Sequence, residues 1–241
     1  VQLDQEFINM DSVYDLVVFD MAGTTVLDDG LVERAFGMAL DEVGCATEPV
    51  ERGTVLDFVR TTMGQSKILV FTQITGNASA AQIANDAFER AYDSLVRAGE
   101  LQPIIGARET IAALRAAGMS VVLTTGFSSQ TQRGILDALG WQDVADLALS
   151  PADAGGRGRP HPDLNLTALI RTRRRAVASM VVVGDTSSDM VSGVRAGAGR
   201  VVGVLSGAHD EATLREAGAT DILRDVTGLP ELLGLSFVAK V

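Results

Sequence analysis

Apolar runs alternate with amphipathic stretches along most of the chain. Residues 14–19 read as a buried strand, as do residues 120–124 (SVVLT) and 179–183 (SMVVV). Residues 145–149 form a weaker strand, and residues 201–205 close the series. Between them, residues 107–117, 129–139, 162–172, 189–196 and 210–217 place apolar side chains at helical spacing. Strands alternating with helices of this length predict an α/β chain whose parallel sheet is covered on both faces. One block breaks the alternation. From residue 31 to about residue 105 there are helical patterns and no convincing strand. This predicts a small helical domain over residues 27–105, inserted after the first strand, with residues 1–26 and 106–241 forming the core. Its expected hinges are the polar turn LDDG at 27–30 and LQPIIG at 101–106.

Composition narrows the class. At 241 residues and 46% hydrophobic, the chain can bury a sizeable core. No apolar run approaches the roughly 20 residues that span a bilayer, and the opening residues lack a basic and an apolar leader segment. A single cysteine, Cys45, rules out an intrachain disulfide, so a cytoplasmic setting is expected. The net charge of −11 disfavours nucleic acid and acidic membrane surfaces as partners. It leaves room for a small anionic substrate if local cations reverse the sign within a cleft. With two histidines and one cysteine, a metal would be a hard cation held by carboxylates, which points to Mg²⁺.

In an open parallel sheet, chemistry gathers at the carboxyl ends of the strands. The first strand is followed by Asp20-Met21-Ala22-Gly23-Thr24-Thr25, the second by Thr125 and Gly126. The weaker strand leads into a glycine-rich loop carrying Arg157 and Arg159, and the fourth leads into GDTSSDM with Asp185 and Asp189. Singly, each has an ordinary reading: a turn or capping aspartate, a turn hydroxyl, a solvated arginine, a first-turn acid. Together, at successive strand ends, they describe a phosphate site. Asp20, Asp185 and Asp189 can gather around Mg²⁺. Thr125, Arg159 and the backbone near Gly23, Thr24 and Gly126 can hold phosphoryl oxygens. A metal and a guanidinium reduce the repulsion between a phosphoryl group and a carboxylate nucleophile, so Asp20 could form an aspartyl-phosphate.

The segments VVFDMAGTT, VVLTTG, GRP and VVVGDTSSDM resemble, in order, the four motifs of the haloacid dehalogenase superfamily. The resemblance implies a Rossmann-like core and a helical cap placed after the first strand. It implies that Asp20 is nucleophile and Mg²⁺ ligand, that Ala22 offers its backbone carbonyl to the metal, and that Thr125 and Arg159 hold the phosphoryl group. Asp185 would ligate Mg²⁺, and Asp189 would ligate it or support its surroundings. Ordinary phosphatases of the superfamily carry a second aspartate at the position of Ala22, which protonates an alcohol leaving group. Alanine there, with arginine at 159, is similar to the phosphonatase subgroup, phosphonoacetaldehyde hydrolase and its relatives.

That subgroup breaks a carbon–phosphorus bond. Its leaving group is carbon, and a cap lysine condenses with the substrate carbonyl to provide an electron sink. Lys67 is the insert's one lysine, and Met63-Gly64-x-x-Lys67 is similar to the subgroup's cap motif. Apolar neighbours 68–71 would favour its neutral amine. Where the motif has an assisting histidine, this chain has Val70. The expected activity is hydrolysis of a 2-oxoalkyl phosphonate through an aspartyl-phosphate and a lysine Schiff base. The alternatives are a Mg²⁺-dependent phosphatase of a small phosphomonoester, against which Ala22 stands, and a binding protein on a retired hydrolase core. The resemblance further implies a homodimer through the cap.

Overall fold

The structure is a computed structural model, and it describes residues 13–235. The leader-free reading of the opening residues, and the assignment of residues 1–12 and 236–241 to the core, lie outside the described residues. In chain order the first half comprises β1 (Leu16–Asp20), β2 (Val26–Leu27), α1 (Leu31–Val43), α2 (Pro49–Thr61), α3 (Lys67–Thr75), α4 (Ala78–Arg97) and β3 (Gln102–Pro103). The second half comprises α5 (Ala107–Ala116), β4 (Ser120–Thr124), α6 (Ser129–Leu139), β5 (Leu147–Leu149), α7 (Asp163–Thr172) and β6 (Met180–Gly184). It continues with α8 (Ser187–Ala196), β7 (Arg200–Val204), α9 (Glu211–Glu216), β8 (Asp221–Leu223) and α10 (Leu229–Leu232).

Six strands form a parallel sheet in the order β5-β4-β1-β6-β7-β8. Every residue of β1, β4 and β6 is buried, which is why their sequences are nearly unbroken apolar runs. Successive side chains point to opposite faces. Val17, Phe19, Val121 and Val181 join Ile111, Leu114, Ile135 and Leu229 on one side, under α5, α6 and α10. Leu16, Val18, Val122 and Val182 pack with Leu164 and Ala168 of α7 on the other. Burying such a side chain contributes about 1.5–3 kcal/mol, so the central strands anchor the sheet. β1 lies between β4 and β6, with Asp20 opposite Thr124 and Phe19 opposite Val183. The crossovers from β1 therefore diverge at this point, and the carboxyl ends of β1, β4 and β6 open side by side.

The helical insert comprises α1 to α4 and leaves the core through a ribbon that was not expected. β2 and β3 pair antiparallel, Val26 with Pro103 and Leu27 with Gln102. The expectation of no strand between residues 31 and 105 is thus corrected at Gln102–Pro103. Two-residue strands are too short to show a period, and only the pairing reveals them. β8 was also missed: three half-buried residues at the sheet edge carry no strong apolar run.

Phe36, Phe71, Phe88 and Tyr92 fill the insert. The Phe36 ring lies 4.8 Å from Phe71 and 4.7 Å from Phe88. Phe127, just after β4, enters this cluster from the core, 4.6 Å from Tyr92 and 6.0 Å from Phe88. Glu89 of α4 adds a polar contact beside it, accepting from the Ser128 hydroxyl at 2.6 Å and from the Thr131 hydroxyl at the start of α6. Insert and core are therefore joined by one apolar cluster.

Phe88 meets four other rings. Phe88→Ala is expected to lower stability by about 3–5 kcal/mol, read from the midpoint of urea unfolding.

Candidate active site

The residue after each central strand faces the same space. Asp20 ends β1, Thr125 and Gly126 follow β4, and Asp185 follows β6. With Arg159 from the loop after β5, and with Asp28, Met63, Gly64, Lys67, Phe127 and Ala208, they line a narrow cavity of about 30 Å³. A wider cleft of about 570 Å³ adjoins it along the seam between insert and core and shares Asp28, Met63 and Ala208.

Three carboxylates gather at the strand ends, Asp20 and Asp185 lining the cavity and Asp189 outside it. Asp20, Asp185 and Asp189 each offer an oxygen, and these atoms lie within 4.8 Å of one another. Arg159, 2% exposed, pairs through Nη1 with Asp20 Oδ1 at 2.5 Å and with Asp189 Oδ1. Asp189 Oδ2 accepts from the Thr186 N–H and from the Thr186 hydroxyl at 2.5 Å, closing a capping box at the start of α8. Asp185 accepts from the Thr24 hydroxyl at 3.0 Å and the Ala208 N–H at 2.8 Å. Glycine is required around these groups. A Cβ at Gly23 would fall 2.3 Å from Asp185, one at Gly207 2.0 Å from it, and one at Gly184 2.3 Å from Asp189.

One guanidinium does not neutralise three buried carboxylates. Burial, opposed by Arg159 and reinforced by Asp189, pushes the Asp20 pKa up to about 6. Burial and the charges of Asp20 and Asp189 push Asp185 well above the carboxylate range. Burial opposes the Arg159 charge, but Asp189 and Asp20 more than offset this and raise its pKa above the ordinary value. Nε and Nη2 of Arg159 are buried and make no hydrogen bond among the described residues. The site thus combines excess carboxylate charge, which a divalent cation would relieve, with unused guanidinium donors, which an oxyanion would satisfy.

The other expected residues divide. The Thr125 hydroxyl accepts from the Phe127 N–H at 3.2 Å, which leaves its proton able to donate into the cavity. Ala22 lines the cavity as a half-buried residue. Gly23 and Thr24 do not line it. Their N–H groups are spent within the turn, on Val26 and Met21 carbonyls, and the Thr24 hydroxyl on Asp185. Asp189 lies behind Arg159 and Thr186, outside the cavity wall.

Lys67 opens α3 and reaches the cavity from the insert. It is 5% exposed and its amine has no hydrogen bond or ion pair among the described residues. Nζ lies 5.8 Å from the Phe36 ring centre and 5.2 Å from that of Phe127. Burial lowers its pKa to about 8, against the pull of Asp28, while Arg159 lowers it further. The loop before it sits directly on the core. Lys67 N–H donates to the Gly126 carbonyl at 3.4 Å. A Cβ at Gly126 would lie 2.4 Å from the Gln65 carbonyl oxygen, and one at Gly64 2.4 Å from the Thr186 hydroxyl.

Asp28 and Phe127 were not singled out from the sequence. Asp28 lies in the LDDG turn read as a hinge, and its Oδ1 accepts from the Val32 N–H at 3.0 Å in the first turn of α1. An acid four residues before a helical amide was the available signal. The remaining residues are ordinary in place: Trp141 is buried, Cys45 half-buried, and His161 meets Arg157 at 3.0 Å. His209 bonds the Ser187 N–H at 2.8 Å just before α9.

A parallel α/β sheet whose strand ends gather three buried carboxylates and a buried arginine defines a hydrolase-type fold with a candidate cation and oxyanion site. Residues 14–197 match the haloacid dehalogenase-like hydrolases, and the chain belongs to that family. It is 29% identical over 209 residues to the phosphonoacetaldehyde hydrolase of Bacillus cereus, covering 81% of this chain and 77% of that one. A hydrolase from Pseudomonas syringae superposes with a TM-score of 0.80 at 23% identity, covering 91% of this chain and 98% of that one. A phosphonoacetaldehyde hydrolase like protein from Oleispira antarctica gives 0.77 at 21% identity, covering 97% and 96%. Among the described residues no helix is long and apolar enough to cross a membrane.

Raised carboxylate pKa values mean that the cation-free cluster favours folding in acid and loses that contribution as pH rises through about 6. A divalent cation is therefore expected to raise the thermal midpoint more at pH 8 than at pH 5. At a hundredfold excess over its dissociation constant the gain is about 2.7 kcal/mol. Scanning calorimetry of the protein and of Asp185→Asn, which should lose the gain, checks this.

Proposed function

We propose that the chain is a phosphonatase-like hydrolase that breaks the carbon–phosphorus bond of a 2-oxoalkyl phosphonate such as phosphonoacetaldehyde. The observation that carries this reading is Lys67: a buried amine with lowered pKa and no ion pair among the described residues, lining the cavity that holds Asp20, with an alanine where an oxygen-directed acid would stand. The similarity to curated phosphonoacetaldehyde hydrolases supports it.

In this reading the neutral Lys67 amine adds to the substrate carbonyl, and water leaves to give a protonated imine. An Asp20 carboxylate oxygen attacks phosphorus. As that bond forms, the carbon–phosphorus bond breaks and its electron pair flows into the imine, giving an enamine and an aspartyl-phosphate. The enamine takes a proton on carbon and is hydrolysed from Lys67. Water then cleaves the aspartyl-phosphate. Ala22 is consistent with a carbon leaving group, which needs no acid aimed at oxygen. The free Nε and Nη2 of Arg159, the Thr125 hydroxyl and the Gly126 backbone would hold the phosphoryl oxygens. Asp20, Asp185 and the Ala22 carbonyl, supported by Asp189, would hold Mg²⁺. When bound it lowers the charge repulsion between the phosphoryl group and the attacking carboxylate. The reading carries with it a cytoplasmic setting and a homodimer through the insert.

Borohydride added with phosphonoacetaldehyde is expected to fix a covalent adduct on Lys67, located by peptide mass spectrometry. Lys67→Ala should lose the adduct and at least about a hundredfold in kcat. Full turnover in that variant, or efficient hydrolysis of phosphomonoesters independent of Lys67, would favour a phosphatase instead. Because the amine must be neutral to add, kcat/KM should rise with pH and level off above about 8.

A further inference from the structure

Resting on that reading, one proton remains unassigned: Lys67 must shed its ammonium proton before nitrogen can add to a carbonyl. Three residues along α3, where the similar motif has a histidine, stands Val70, buried in the apolar cluster and unable to take a proton. The charged groups whose fields reach the Lys67 amine are Asp28 from the turn before α1, Arg159 from the loop after β5, Asp20 from β1 and Glu89 from α4; the first three line the same cavity as Lys67. Rings of Phe36 and Phe127 complete its surroundings. Three of the four charged groups are committed. Arg159 is a cation, Asp20 is paired with it at 2.5 Å, and Glu89 holds Ser128 and Thr131 across the seam. Asp28 differs. Its carboxylate accepts from backbone only, from the Val32 N–H at 3.0 Å and from the Leu31 N–H, no side chain pairs with it among the described residues, and it lines the same cavity as Lys67.

We propose that Asp28 is the acid–base partner of Lys67, holding the amine toward the cavity and exchanging its proton during imine formation. The carboxylate takes one proton from the ammonium, and the neutral nitrogen adds to the carbonyl carbon. A second nitrogen proton passes to the former carbonyl oxygen, giving a neutral carbinolamine. Asp28 then returns its proton to that hydroxyl, which leaves as water as the carbon–nitrogen double bond forms. The three ammonium protons end as two in water and one on the iminium, so the step balances with no other reagent. Burial raises the Asp28 pKa and lowers that of Lys67, which narrows the gap the proton must cross.

The test uses the full chain and formaldehyde with cyanoborohydride, a probe that needs no phosphonate turnover. Methylation of Lys67 is followed across pH by peptide mass spectrometry in the parent protein, Asp28→Asn, Asp28→Ser and Asp28→Glu. Asn and Ser keep an acceptor for the Val32 N–H, so a purely capping role would leave the profile unmoved. The expected result in both is a midpoint about one pH unit lower, because an attractive charge is gone, and a plateau rate reduced at least about tenfold. Asp28→Glu should restore the midpoint and part of the rate. If Asp28→Asn does not fold, judged by circular dichroism, Asp28→Ser decides on the same two readings. A midpoint and plateau equal to the parent's in the folded variant overturns the proposal. Loss of phosphonoacetaldehyde turnover in the parent, with the Asp28 effect intact, overturns the function reading and leaves the Asp28 pairing standing.

Discussion

The site is organised by one buried contact, the guanidinium of Arg159 against Asp20 and Asp189. Charge this deep is tolerated only when paired, and removing one partner of such a pair typically costs about 3–5 kcal/mol. The pairing therefore dictates its surroundings. The loop after β5 must bring Arg159 to the end of β1. The first turn of α8 must hold Asp189 by its capping box, and Thr24 and Ala208 must hold Asp185. Glycines at 23, 184 and 207 follow, because the carboxylates occupy the space where their side chains would begin. Yet the cluster is left incomplete. It carries more carboxylates than cations, and a guanidinium with two idle donors. A fold optimised for stability alone would replace it with apolar packing, so its retention points to ligands of both signs.

Lys67 obeys a different logic. Its amine is kept from water by aromatic rings rather than by an ion pair, and the helix that carries it is anchored by the insert's ring cluster. Phe127 belongs to the core yet packs into that cluster and beneath Lys67. Packing energy and amine chemistry are thus supplied by the same side chain, and the lysine's height above the strand ends is set by the docking of the insert.

Much of this was legible along the chain. β1, β4 and β6 are buried on both faces, so their apolar runs are long, and the polar residues that follow mark where each strand meets the site. The helical insert stood out because its period changes from that of a strand to that of a helix. What escaped depended on pairing across distance. β2 and β3 have two residues each, and one contains proline. β8 is a half-buried edge. The backbone near Thr24 read as an oxyanion donor, but its N–H is spent on the Met21 carbonyl, and its hydroxyl is turned to Asp185, a partner 161 residues away. Asp28 read as a hinge residue because nothing local shows that the turn before α1 comes to face the start of α3. Asp189 was rightly grouped with the acids, while its burial behind Arg159 depends on how the loop after β5 folds back.

The insert seats on the core at two glycines, with the Gln65 backbone over Gly126 and Gly64 over the Thr186 hydroxyl. In the proposed reaction an imine at Lys67 would have two fates: to take up the electron pair of the carbon–phosphorus bond, or to return to aldehyde if bulk water reached it. The closeness of that seat would govern the partition between them. A methyl group at either glycine would wedge the seam, lifting Lys67 from the strand ends and opening the site to solvent. In such a protein the atoms that decide commitment are ones that are not there.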